Sequence, residues 1–408
     1  DCIKHLKTIE DNYFDSVVTD PPYHLTGLFK RHANSTKPQD GEGPHQRLQS
    51  GFMGKKWDGG DIAFTTELWK EVYRTLKPGG YLLSFSASRN YHRMAVAIED
   101  SGFEIRDQIM WIYGSGFPKS ANLGKAIDKK QGNKRIKTGQ VKSHSNKGMP
   151  QAEERTAINA GSFGQVVEEE VTVGTSEWEG WGTALKPAHE PICMAKKSIS
   201  EKSVADNVLK HRTGGINIDG CRVTTDENIS NHSHSAESAV SKGIFGDSKE
   251  QETHQTKGQE KGRYPANLIH DGSDEVVSQF PKTKSSPVGF KNIGWKHSGN
   301  TKDKMTPLKY QQEYKDEGSV SRYFYCAKAN KKERGDSKHP TVKPVKLMRY
   351  LVRLVTPKDG IVLDPFAGTG TTGEACILEN RNYYLIEAEE SYIKDIENRT
   401  NKYGRLGI

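Results

Sequence analysis

A chain of 408 residues with 33% hydrophobic side chains and a mean hydropathy of −0.79 has room for one large α/β domain with insertions, or for two domains, and leaves a fair part of its length outside any packed core. Its 60 Lys and Arg against 52 Asp and Glu give a net charge of +8, which suits a polyanionic partner without requiring one. No apolar run has transmembrane length and no signal peptide is visible, so no membrane partner is expected. The five cysteines, Cys2, Cys193, Cys221, Cys326 and Cys376, are scattered and odd in number, which argues against a disulfide framework or a zinc site and fits a reducing, cytoplasmic setting. His232 and His234 lie near Cys221 without standard ligand spacing, so no metal is expected. The chain starts at Asp1 rather than at Met, which reads as a truncated open reading frame.

In chain order, Val17 and Val18 belong to a short apolar run that Pro21 and Pro22 end, which predicts a strand with Asp20 and Tyr23 at its exit. Residues 27–60 are basic and glycine-rich, too irregular for a core element, and Phe52, Met53 and Trp57 there are either anchors into the body or contacts to a substrate. Phe64, Leu68, Trp69, Val72, Tyr73 and Leu76 recur at helical spacing, and Lys77-Pro78-Gly79-Gly80 ends that helix ahead of a strand at 81–85. A helix at 91–101, stopped by Gly102, and a strand at 104–113 follow. Residues 125–148 are basic and lack an apolar period, which predicts a mobile loop. A strand at 192–195, a small helix within 198–220, a disordered insertion at 225–262 and a strand at 319–327 are expected next. Two prolines in 339–344 frame a rigid turn before a helix at 345–355, whose Leu347, Tyr350, Leu351 and Leu354 form one apolar face. Strands and helices alternating at these lengths predict a doubly wound, mostly parallel sheet.

The last unit carries the densest signal. Ile361, Val362 and Leu363 read as a buried strand that Asp364-Pro365 stops. Gly368, Gly370 and Gly373 follow in G-x-G-x-x-G spacing, open a helix at 371–378, and precede a strand at 383–386 that delivers Glu387 about 20 residues on, where an acid typically takes ribose hydroxyls. With no Lys after the glycines a P-loop is not indicated, which leaves an adenosine-containing cofactor: a nicotinamide dinucleotide or S-adenosylmethionine. This unit has little chain beyond Glu387, so its sheet must be completed from the N-terminal half, with Asp20-Pro21-Pro22-Tyr23 brought beside the cofactor. Transfer of a methyl group to an amino nitrogen on a planar base makes sense of that tetrapeptide: carbonyl and carboxylate acceptors hold the N–H groups and an aromatic ring stacks on the base.

The DPPY motif at 20–23, the glycine loop, the segment HPTVKP at 339–344 and their order along the chain resemble the β group of amino DNA methyltransferases. GFMGKKWDGG, WIYGSGFPKS and ALKPAHEPICMAKK are similar to segments of phage and prophage members. The resemblance implies a Rossmann-like methyltransferase fold with permuted motif order and a target-recognition region inserted in it. The domains expected are a catalytic half at 1–117, a basic loop insertion at 118–183, its last strand at 184–197, a target-recognition region at 198–325, and a cofactor half at 326–408. It implies that Asp364, Pro365, Phe366, Gly368 and Gly370 line S-adenosylmethionine, that Glu387 takes the ribose and Asp1 the adenine, and that Thr341 and Lys343 lie near the methionine part. Asp20 with a Pro21 or Pro22 carbonyl would accept from the exocyclic amine, and Tyr23 would stack on the flipped base. The partner implied is double-stranded DNA in a bacterial or phage-encoded setting; a homodimer is allowed by the likeness, with no interface signature to fix one. Adenine N6 is the favoured acceptor. N4 of cytosine, a nicotinamide oxidoreductase and a DNA-binding module without activity are the rival readings.

Overall fold

The computed structural model describes residues 1–23, 61–116, 120–145, 165–225, 262–284, 317–327 and 342–403. The loop at 27–60, the insertion at 226–261, His232, His234 and Thr341 lie outside the described residues. In chain order the elements are α1 (Cys2–Leu6), β1 (Phe14–Thr19), α2 (Thr66–Thr75), β2 (Leu76–Phe85), α3 (Tyr91–Glu99), β3 (Glu104–Ile112), α4 (Leu123–Gln131), β4 (Ile136–Ser145), β5 (Gln165–Val173), β6 (His189–Lys196), α5 (Val204–His211), β7 (Leu268–His270), α6 (Asp274–Val277), β8 (Lys282–Lys284), β9 (Glu317–Ser319), β10 (Tyr325–Cys326), α7 (Val345–Val355), β11 (Ile361–Asp364), α8 (Thr371–Leu378), β12 (Asn382–Leu385) and α9 (Glu390–Asn401).

Eight strands form one sheet in the order β10-β7-β3-β6-β2-β1-β11-β12, parallel throughout except for β6, which runs antiparallel to β2 and β3. The doubly wound, mostly parallel sheet is therefore present. β1 pairs with β2 on one side and with β11 on the other, Val17 lying between Leu82 and Leu363, so strands from the two halves of the chain meet side by side within the sheet. A strand buried on both faces needs apolar side chains in both directions, and β1 supplies them: Val18 enters a core capped by α7 and α8, while Phe14 and Val17 enter a second one with α2 and α3. Its polar members are satisfied by cross-links. Ser16 Oγ lies 2.7 Å from Thr356 Oγ1, and the Asp15 carboxylate takes Lys77 Nζ at 2.7 Å and the Ile361 amide at 2.8 Å.

Three expectations need correction. The segment Lys77-Pro78-Gly79-Gly80 is drawn into β2 as a bulge, the register jumping from Phe14 against Leu76 to Ser16 against Tyr81. Gly79 is the residue that permits it, since φ is +79° and a Cβ would stand 2.5 Å from Asn207 Nδ2. Of the expected mobile loop at 125–148, the described residues 125–145 instead form most of α4 and then β4, which pairs with β5 as an antiparallel hairpin. Arg135 fastens it, donating to Glu179 at 2.8 and 2.9 Å, to Thr172 Oγ1 at 2.9 Å and to Asp128; a basic sequence without apolar period hides an element held by ion pairs. The strand expected at 319–327 is broken by a 3₁₀ turn at Val320–Tyr323 between β9 and β10. Within 198–325, β7 joins the main sheet beside β10, and Cys221 is buried in the core. Among the described residues no helix is long and apolar enough to cross a membrane.

Candidate active site

The parallel strands β1, β2 and β3 end on one edge, and β6, running the other way, begins there. Asp20 to Tyr23 leave β1 at this edge. The Asp20 carboxylate is gripped from two sides: Lys343 Nζ donates to Oδ2 at 2.5 Å and the Tyr23 hydroxyl donates to Oδ1 at 2.5 Å. Glu190, second residue of β6, closes the ring, with Oε2 3.1 Å from the Tyr23 hydroxyl and 3.1 Å from Lys343 Nζ. Asn90 Nδ2 donates to the Tyr23 carbonyl at 2.6 Å and pins the motif's backbone. Lys343 is 7% exposed. Burial works to lower its pKa, but the carboxylates of Asp20 and Glu190 outweigh burial and raise it, so it is a permanent cation. Burial, with the two carboxylates adding to it, pushes the Tyr23 phenol well above its ordinary range, so its hydroxyl stays a donor.

One strand over, β11 ends in Asp364, whose carboxylate accepts from Thr19 Oγ1 at 2.7 Å, from Thr372 Oγ1 at 2.5 Å and from the Phe366 amide at 3.1 Å. Burial raises this carboxyl to about 6 against the lowering effect of those donors. Asp364 thus braces the glycine turn from beneath and ties it to Thr19, the residue before Asp20. Gly368 and Gly370 have φ of +53° and +77°, the left-handed conformation that glycine adopts without strain. Gly370 is also the N-cap of α8, with no side chain capping the helix, which leaves amide groups facing the end of the sheet as donors for an anionic or polar ligand. The third glycine is a packing residue: a Cβ on Gly373 would stand 2.8 Å from Leu385 Cδ1. Glu387 crosses the turn, accepting from the Gly368 amide at 2.7 Å and from the amides of Ala388 and Glu389 at 2.9 Å each.

The structure thus brings Asp20, Tyr23 and Lys343 into one cluster and Asp364, Gly368, Gly370 and Glu387 into another, the two bolted together through Thr19. Lys343 sits against the DPPY motif. Asp1 is the exposed N-cap of α1, accepting from the Lys4 amide at 3.2 Å, and α1 is held against β12 by His5 stacked on Tyr384. Glu190 and Asn90 were not singled out from sequence. The segment His189-Glu190-Pro191 was visible, but only the antiparallel direction of β6 puts its acid at the catalytic edge.

A family model described as DNA methylase matches residues 14–398. The chain is 22% identical over 429 aligned residues to the type II methyltransferase M.HindIII of Haemophilus influenzae, covering 98% of this chain and 93% of that one. A shorter match, 45% identical over 62 residues, joins it to the type II methyltransferase M2.MboI of Moraxella bovis and takes up 15% of this chain and 23% of that relative. Among solved structures, the cytosine-N4-specific PvuII DNA methyltransferase aligns at 14% identity with a TM-score of 0.40, covering 99% of this chain and 89% of that one. M1.HpyAVI aligns at 14% identity with a TM-score of 0.37, covering 98% and 94%. The chain belongs to the N6/N4 DNA methylase family, and S-adenosylmethionine is its cofactor. The open N-terminus of α8, the two left-handed glycines and the acid at the end of β12 supply donors and an acceptor of the kind that a cofactor with a carboxylate and ribose hydroxyls requires.

Proposed function

We propose that the chain is a site-specific DNA methyltransferase acting on the exocyclic N6 of adenine in a base turned out of the double helix. The observation that carries this reading is the Asp20 carboxylate at the end of β1, held by Lys343 and Tyr23 one residue from the Thr19 bond to the glycine turn. Bound S-adenosylmethionine supplies an electrophilic methyl group. Asp20 has lone pairs left on both oxygens and accepts an N–H of the target amine, with a Pro21 or Pro22 carbonyl taking the other. Those bonds draw the nitrogen toward a tetrahedral geometry with its lone pair available for attack. The ring of Tyr23 stacks on the base and fixes its plane. No strong base is needed, because the nitrogen becomes far more acidic once it is methylated. Turning the base out costs a few kcal/mol, which the pocket and phosphate contacts offset. Asp at the head of DPPY favours adenine over cytosine N4, and relatives named as type II methyltransferases support a role beside a restriction enzyme.

Thr341 and Asp1 complete the proposed cofactor set by family likeness. The test is to methylate a random-sequence plasmid with the purified chain and sequence it by a method that separates N6-methyladenine from N4-methylcytosine. N6-methyladenine at one recurring word is expected; N4-methylcytosine there sinks the choice of base, and no mark at all sinks the activity.

A further inference from the structure

The ring formed by Asp20, Tyr23, Lys343 and Glu190 contains one acid more than the DPPY chemistry uses. Glu190 reaches the ring from β6, the strand that runs against its neighbours, and stands in register with Trp111 of β3. Among the described residues its Oε2 faces the same two groups that hold Asp20, the Lys343 ammonium at 3.1 Å and the Tyr23 hydroxyl at 3.1 Å. Lys343 also lies 4.8 Å from the centre of the Phe85 ring and 5.4 Å from that of Tyr23, so it is walled by aromatic faces and bridged between two carboxylates. With its side chain 8% exposed, and those of Asp20 and Glu190 at 22% and 20%, the cluster is shielded enough for these charges to act strongly on one another.

An ammonium drawn by one carboxylate alone would settle on it, whereas one held between two is fixed at a point, and Asp20 Oδ2 is fixed with it. The tyrosine hydroxyl is likewise held at both carboxylates, which sets the ring's rotation before a base arrives. The charges of Asp20, Glu190 and Lys343 sum to one net negative charge, the sign that stabilises an amine becoming cationic as it is methylated. We propose that Glu190 is a positioning residue of the methyl-transfer site, holding the Lys343 ammonium and the Tyr23 hydroxyl so that Asp20 and the tyrosine ring meet the target amine already aligned. The inference rests on the methyltransferase reading above and assigns a role to a residue outside the DPPY motif and the glycine turn.

The test compares full-length wild type with Glu190→Gln, which keeps the shape and loses the charge, and with Glu190→Asp, which restores the charge at shorter reach. Single-turnover methyl transfer to the DNA word that wild type modifies is expected to fall about 10²-fold in Glu190→Gln. Calorimetric affinity for S-adenosylhomocysteine should stay within about twofold, and Glu190→Asp should recover about tenfold of the rate. In protein carrying ¹³Cζ-tyrosine, the Tyr23 resonance, assigned with Tyr23→Phe, is expected to move in Glu190→Gln and to return toward its wild-type position in Glu190→Asp. A Glu190→Gln rate within about twofold of wild type, an unmoved Tyr23 resonance, or an equal loss of S-adenosylhomocysteine affinity overturns the proposal. If wild type itself transfers no methyl group to DNA, the functional reading fails, and the Tyr23 resonance still decides whether Glu190 holds the tyrosine.

Discussion

Lys343 Nζ stands 2.5 Å from Asp20 Oδ2, joining residues that are 323 positions apart in the chain. The pair sits where β1, from one end of the chain, meets β11, from the other, so the cluster around Asp20 is completed only when both halves of the sheet are assembled.

Replacing Asp20 by Ala removes the acceptor for the amine. Methyl transfer is expected to fall at least about 10²-fold, the cost of losing one aligned polar group at a reacting centre. Calorimetry with S-adenosylhomocysteine should show cofactor affinity nearly intact, since the glycine turn keeps its own bonds to Asp364 and Glu387. Wild-type turnover in this variant would sink the catalytic assignment.

Lys343→Met leaves Asp20 and Glu190 facing each other without the cation between them. Removing one partner of a mostly buried ion pair costs about 3 kcal/mol, and a drop of that order is expected in urea unfolding at neutral pH. A second substitution, Glu190→Gln in the same chain, removes one of the stranded charges and should restore part of the stability, a coupling that a double-mutant cycle reads directly.

Asp364 gives a pH signature of known sign. Burial raises its folded pKa to about 6, above the ordinary 3.8, so between those values the folded state binds more protons than the unfolded state. Its contribution is fully present below the unfolded pKa and is lost as the pH rises through about 6, a change of about 3 kcal/mol across the window. Asp364→Asn cannot ionise, so the stability of wild type relative to this variant should decline between pH 4 and pH 7 by about that amount. Urea unfolding at the two pH values checks it; a flat difference would mean that the carboxyl is not held in a raised state.

Gly370→Ala is expected to destabilise by about 1–2 kcal/mol, because φ is +77° and the new Cβ would stand 3.0 Å from Ile396 Cγ1 and 3.2 Å from its Cα on α9. The strain falls at the N-cap of α8, so S-adenosylhomocysteine affinity should drop together with melting temperature. An affinity unchanged in a destabilised variant would separate the turn's packing from ligand binding.

Much of the site was legible in local pattern. Val17-Val18 stopped by two prolines, and Ile361 to Leu363 followed by glycines at fixed spacing, each encode a strand and the turn after it through conformational preferences that act over a few residues. The helix at Val345–Val355 was readable for the same reason, its apolar face repeating every turn. The hairpin of β4 and β5 was not, since it is fastened by Arg135 reaching Asp128, Thr172 and Glu179, partners up to 44 residues away and silent in the hydrophobic pattern. Nor was the bulge at Gly79, which depends on Asn207 and Gly214 packing against it.

By itself, then, the amino-acid sequence determined that a strand ends in Asp20-Pro21-Pro22-Tyr23, that a second ends in a glycine turn after Asp364, and that the two belong to one sheet. The tertiary structure decided what touches Asp20. Hydrogen bonds and ion pairs carry no periodic trace along a chain, and their partners are chosen by strand order and direction. β6 had to run backwards to set Glu190 at the catalytic edge, and α7 had to dock on the sheet to carry Lys343, just before its start, to Asp20 and Tyr23.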